Sequence, residues 1–357
     1  MSGTIAWSVP LDNAGTGLLL PRPGGGVLMF SSRRVAAFDA RGAQLWATQP
    51  TGASIDLPVI GPQSTVARIE EDDIVVRDLS TGAVVASHRA ALATGLSVAP
   101  WGDLLFSQAS PGSLARLICI SPTGEPQWAT LLDSPAPLTY PPLPFGAHVV
   151  VERAGELRAL DRDGETAWSI PLPGARLSSA PQRPWPGMVA LGTQSDAGPS
   201  LHLLSGERPA LSVLASPSPV LAPFAVLAVE GQWVIAGQGP AVQTGPGESE
   251  YPLVALRAGP GGVRPWWEHR LPARPRSVLA VPAGGLVLTL CPAARRWEDY
   301  HQYYDLGAET FVRLLDPAGA TRWSWHPQRP FTHFPVVDEH GLVILGADDQ
   351  LWAFLAG

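Results

Sequence analysis

One phrase returns along the chain and restricts its fold more than any other feature. It runs as apolar alternation, an Asp or Ser, two or three turn residues, a Gly, three variable residues and a Trp. It is most complete as Leu157-Arg-Ala-Leu-Asp-Arg-Asp-Gly-Glu-Thr-Ala-Trp168. It recurs from Val35 to Trp46, from Ile118 to Trp128 and from Val312 to Trp323. Weaker copies start at Val75, Leu201 and Leu253. The chemistry of the phrase is a β-hairpin. Asp-x-x-Gly supplies a turn-capping side chain and a residue free to take positive φ. The alternation before it is a half-buried strand, and the Trp begins the returning strand and is expected to pack its ring against the next unit.

The Trp, or the residue equivalent to it, falls at positions 7, 46, 86, 128, 168, 211, 267 and 323. The spacings are 39, 40, 42, 40, 43, 56 and 56 residues. Trp7 has no hairpin before it, while the hairpin from Gly341 to Leu355 has no Trp strand after it. Joining the two ends adds one more period of 41 residues. A second signal keeps the same phase: Pro21, Pro58, Pro100, Pro142, Pro181, Pro223, Pro282 and Pro335 each close a short apolar run. Proline lacks a ladder donor, so it suits an inner strand's end or edge. The expectation is all-β: an eight-bladed β-propeller of four-stranded antiparallel blades. The N-terminal strand completes the C-terminal blade, and residues 1–357 form a single domain.

Composition supports this reading. There are 37 Gly and 38 Pro in 357 residues, so few windows are long enough for a helix, while 45% apolar residues suffice for a core. The net charge is -7 and no basic stripe is visible, which argues against nucleic acid as a partner. All 24 basic residues are Arg. That excludes a Schiff-base lysine and a Walker-A lysine. Cys119 and Cys291 are too few for a disulfide framework or a zinc site and lie in apolar runs, as buried free thiols do. The apolar window 214–229 is broken by Pro217, Pro219 and Pro223, so it is no membrane span. The start of the chain shows no basic or apolar leader. The expectation is a soluble, cytoplasmic monomer without cofactor, a trimmed secretion signal being the other reading.

The hairpin phrase resembles the quinoprotein-type, or PQQ-like, β-propeller repeat, with its Ala-Leu-Asp-x-x-Gly-x-x-x-Trp hairpin. The segment from Phe334 to Phe354 is similar to that repeat's first three strands. The quinone-dependent dehydrogenases of this superfamily are longer and carry a vicinal Cys-Cys pair, which is missing here. The resemblance therefore implies the non-catalytic branch, typified by the eight-bladed BamB-type lipoproteins that act as protein-binding scaffolds. Those carry a lipobox cysteine near the N-terminus. This chain has none, so the architecture is expected to carry over and the location and partner are not.

The two long spacings mark insertions. One runs from Gly239 to Tyr251 in unit six and the other from Pro292 to Glu309 in unit seven. Both fall between second and third strands, which places them on one face, opposite the Asp-x-x-Gly turns. The second holds Arg295, Arg296, Trp297, Asp299, Tyr300, His301, Tyr303 and Tyr304, the residue types that dominate binding hot spots. The next loop on that face adds His326, Arg329 and His333. The expected function is a non-enzymatic scaffold binding a protein partner through these residues. The alternative is a cofactor-free lyase or hydrolase, or a small-ligand binder, using His and Tyr at the channel mouth. His301, His326 and His333 with Glu298 and Asp299 lack tight ligand spacing, so no metal is expected. No Gly-x-Ser-x-Gly elbow is present, and Gly237-Gln-Gly239 lacks a third glycine. The run Glu70-Glu-Asp-Asp73 reads as a solvated hairpin tip.

Overall fold

The computed structural model describes the chain apart from residues 1–2, 12–16, 53–56, 110, 173–174, 186–187, 207–209, 216–217, 221, 230–231, 246–247, 260–261, 272–274, 283, 291–310, 327–332, 348 and 357. The described residues form eight blades of antiparallel strands set in a ring, as expected. Blade four shows the plain pattern: Leu143–Phe145, His148–Arg153, Glu156–Leu160 and Thr166–Pro171, each paired with the next. In blade five the innermost strand is split into Ala175–Leu177 and Gln182–Trp185, both paired with Met188–Ser195. Blade eight is His333–Val337, Leu342–Ala347 and Gln350–Leu355, completed by Ile5–Pro10 from the other end of the chain. Trp7 lies opposite Ala353, and the Leu355 amide donates to the Thr4 carbonyl at 3.1 Å.

All eight marker positions lie on outermost strands, including Ala86 and Leu211. The outer strands alternate in exposure, as in Thr166–Pro171, because only one side meets a neighbouring blade. Second strands such as Val27–Ser31 and Leu286–Leu290 are buried throughout, since they are covered on both faces. The core therefore lies between blades. Leu28, Phe30, Val35, Ala37 and Trp46 of blade one pack with Val66 and Leu79 of blade two.

The turn glycines and tryptophans fasten one blade to the next. The indole N–H of Trp7 donates to the Ala40 carbonyl at 2.9 Å, that of Trp46 to Leu79 at 2.9 Å, that of Trp128 to Arg162 at 2.8 Å and that of Trp267 to Pro317 at 3.0 Å. Each acceptor lies in the following blade's turn between its third and fourth strands. There the ring covers the turn glycine. A Cβ on Gly42 would come within 2.8 Å of the Trp7 ring, and one on Gly164 within 2.7 Å of Trp128. Both glycines have φ of +82°, so they supply the left-handed turn and the close approach together. Two residues after the marker, His88 bonds the Gly124 carbonyl and His269 the Gly319 carbonyl, at 2.8 and 2.7 Å.

Blade eight has no such turn, because the chain begins and ends there. Gly3 takes the place of the turn glycine: a Cβ on it would lie 2.9 Å from the ring of Trp323. Gly3 precedes Trp7 by four residues, as Gly42 precedes Trp46. The segment from Gly3 to Trp7 is thus the second half of the repeated phrase, with Gly and Trp at the spacing of Gly42 and Trp46.

Two expectations are corrected in detail. The phased prolines do not hold one equivalent position. Pro58 and Pro142 precede innermost strands, Pro181 lies between the two pieces of one, Pro21, Pro100 and Pro282 follow or end them, and Pro223 and Pro335 sit inside them at irregularities of register. The run Glu70 to Asp73 is a hairpin tip, but Glu70 is not solvated. Its side chain is fully buried against Arg77 at 3.0 Å and accepts from the amide and hydroxyl of Thr51. Burial between blades also lowers the pKa of nearby Arg68, although the Glu70 charge opposes that shift.

Candidate functional site

In an antiparallel blade, connections after the second and fourth strands emerge at one end. Both insertions do occupy the connection from second to third strand, in adjacent blades. In blade six it is a small hairpin: Val242–Gly245 pairs with the start of Glu248–Gly259, extending that third strand beyond Gln232–Gln238. Val242, Gln243 and Thr244 are exposed on it. Glu250 at its base meets Arg270 at 3.4 Å.

In blade seven the insertion joins Leu286–Leu290 to Phe311–Leu315, with Leu290 and Phe311 paired at its root. Arg295, Arg296, Trp297, Asp299, Tyr300, His301, Tyr303 and Tyr304 lie outside the described residues, as does Arg329. Of the root itself, the Arg313 guanidinium stacks over the Phe311 ring at 4.3 Å, and its Nε donates to Ser324 Oγ at 3.2 Å. Burial lowers its pKa. His326 is exposed, and its ring lies 6.0 Å from that of Phe311. The structure thus brings His326 to the root of the insertion.

His333 does not join it. Its imidazole is wholly buried at the start of the innermost strand of blade eight, where it lies opposite Gly17 of blade one. A Cβ on Gly17 would come 3.0 Å from its Nε2, and one on Gly346 3.1 Å from its Nδ1. Two glycines make the room that the ring fills. Burial pushes its pKa down to about 4, so it is neutral at pH 7. The expectation of a surface contact at His333 is corrected: it is a packing residue where blades one and eight meet.

The same face carries a feature that sequence reasoning missed. Between blades four and five a cleft of about 520 Å³ is lined by Thr139, Tyr140, Glu152, Arg176, Ser178 and Gln194, with Leu177. Adjoining it, and sharing Tyr140, Glu152 and Leu177 with it, a slot of about 20 Å³ reaches Leu143, Val150, Leu157, Val189 and Leu191. The cleft residues come from the connection into blade four, the upper end of its second strand, the split inner strand of blade five and the second strand of blade five. No short motif joins them, so only the folded ring shows them together. Burial raises the pKa of Tyr140, with Glu152 adding to the rise and Arg176 opposing it. Among the described residues no group of His, Cys, Asp and Glu could hold a metal ion. Cys119 is buried, with its pKa pushed up to about 12 by that burial and by Asp103. Cys291 lies outside the described residues.

Residues 31–298 match the family described as outer membrane protein assembly factor BamB. The chain belongs to this BamB family. BamB from Moraxella catarrhalis aligns over 99% of this chain and 98% of its own, at 14% identity and a TM-score of 0.63. The dihydro-heme d1 dehydrogenase NirN, solved in complex with DHE, aligns over 96% of this chain and 74% of its own, at 13% identity and a TM-score of 0.63. The WD40 domain of SCAP from fission yeast covers 98% of each chain at 8% identity and 0.61. At such identities the likeness shows the propeller fold, which scaffolds and enzymes share. No curated protein matches the chain. Among the described residues no helix is long and apolar enough to cross a membrane. The cytoplasmic placement expected from the sequence gains no support from a family named for outer-membrane protein assembly.

Proposed function

We propose that this BamB-family propeller is a non-enzymatic scaffold that binds a protein partner through the face bearing the insertions of blades six and seven. The observation that carries the reading is positional. Adjacent blades both expand the same inter-strand connection, and the expansion in blade seven is rich in Trp, Tyr and Arg. Loops on a rigid ring are where such folds place recognition. Arg295, Arg296, Trp297, Asp299, Tyr300, His301, Tyr303, Tyr304, Arg329 and His326 are the proposed contacts, and His333 is not among them. The BamB family name supports a protein partner over a small substrate.

The test compares proteins cross-linked to the wild-type chain in its native cells with those cross-linked to the triple variant Trp297→Ala, Tyr300→Ala, Tyr304→Ala. The variant should lose a specific partner while its melting temperature shifts little, since loop anchors carry binding and not core packing. An Arg41→Glu, Arg162→Glu variant alters the opposite, turn-bearing face, where both residues are exposed. Loss of the partner with this variant alone, or unfolding of the triple variant, would refute the reading.

A further inference from the structure

The cleft between blades four and five stands on different residues from the scaffold reading and is independent of it. We propose that it binds a small zwitterion with an apolar branch, a free α-amino acid or dipeptide, with its carboxylate on Arg176, its ammonium on Glu152 and its side chain toward the slot below Leu177.

The size of the cleft, about 520 Å³, is that of small-molecule sites, which run from roughly 300 to 1,000 Å³. Its chemistry is mixed in a particular way. Glu152 projects from the second strand of blade four and Arg176 from the inner strand of blade five, and the two form no ion pair with each other. Both line the same cleft as Tyr140, whose proton affinity Glu152 raises and Arg176 lowers. Thr139, Ser178 and Gln194 add uncharged donors and acceptors around it.

The charge pattern selects among ligands. A simple anion gains Arg176 but meets the Glu152 carboxylate. A simple cation gains Glu152 but meets the Arg176 guanidinium. A neutral sugar leaves both charges without a counter-charge. A ligand carrying ammonium and carboxylate satisfies both at once, through charge-assisted hydrogen bonds, about twice as strong as neutral ones. The slot selects further. Leu143, Val150, Leu157, Leu177, Val189 and Leu191 form much of the wall of a space of about 20 Å³, with Tyr140 and Glu152 also on its lining, room for roughly one water-sized or methyl-sized group. That favours a short branched side chain such as that of valine.

Calorimetric titration of the whole 357-residue chain tests this with L-valine, its amine analogue isobutylamine, its acid analogue 3-methylbutanoate, and glucose. L-valine should bind, and each single-charge analogue should bind at least about 10-fold more weakly. Glu152→Gln and Arg176→Gln should each weaken L-valine by about 10-fold or more without moving the melting temperature. Arg176→Gln should also abolish the preference for L-valine over isobutylamine, and Glu152→Gln that over 3-methylbutanoate. The proposal is overturned by absence of L-valine binding up to about 10 mM, by equal binding of the analogues, by tighter binding of glucose, or by variants that bind as the wild type does.

Discussion

His333 shows how far one residue's role depends on what the ring places beside it. In the sequence it stands in a His- and Arg-containing loop, which reads as surface. Its neighbours in space are Gly17 and Gly346, hundreds of residues and a dozen residues away in the chain, and no local pattern announces them. Pro335, in the phased proline series, marks the strand to which His333 belongs, and that was the available clue. The same holds for Glu70, whose carboxylate finds Arg77 only once the hairpin has paired. Such a buried pair gives little net stability, but removal of one partner leaves a buried charge. The His333 site has a definite pH consequence. Its folded pKa of about 4 lies below the unfolded value of about 6.5. The unfolded chain therefore takes up a proton first. The contribution is complete above pH 6.5 and is lost as the pH falls toward 4, by roughly 3 kcal/mol in total. Denaturant titrations across that window should show the loss, and His333→Gln should flatten the slope. An unchanged slope would mean that another group causes it.

At the scale of the element, the hairpin phrase was legible because each part has a job inside forty residues. Asp caps the turn, Gly turns the chain, and Trp returns on the outer strand. The phrase also set the Trp ring against the next unit, but it did not reveal that the ring closes over the turn Gly there. That contact joins positions 33 to 36 residues apart for Trp7, Trp46 and Trp128, and nothing in the spacing says which residue of the next hairpin a ring will cover. The contact can be weighed with a matched pair of substitutions. Gly164→Ala and Gly112→Ala both force alanine into positive φ, at +82° and +74°. Only the first pushes a methyl into a ring, since nothing lies within 4 Å of the second. Gly112→Ala should cost about 1 kcal/mol from backbone strain, and Gly164→Ala roughly 2 kcal/mol more because Trp128 must move. Chemical denaturation of the two variants gives the difference directly. Equal costs would show that the ring contact contributes nothing.

At the scale of the whole molecule, the count of eight and the closure by the N-terminal strand were legible from the arithmetic of the period alone. The faces of the two insertions followed from the same arithmetic. The cleft of blades four and five was not legible, because its lining comes from four separate segments that carry no phrase. Closure makes a further demand. Deleting residues 1–9 removes the outer strand of blade eight, the Gly3 seat of Trp323 and the ring of Trp7 over Gly42. It exposes the strand Gln350–Leu355 as an open edge, the kind that recruits other chains. The truncated protein should melt at lower temperature and aggregate on concentration. Unchanged melting and solubility would show that the strand is dispensable to the ring.

Thr4 and Leu355 meet at the same end of one antiparallel pair. A pull applied to the two termini loads the hydrogen bonds of that pair one after another, as in opening a zip. A pull across strands that slide past each other would load them together. The ring should therefore resist solvent and heat as a closed cooperative body, yet yield to a small traction at its ends by peeling Ile5–Pro10 away first.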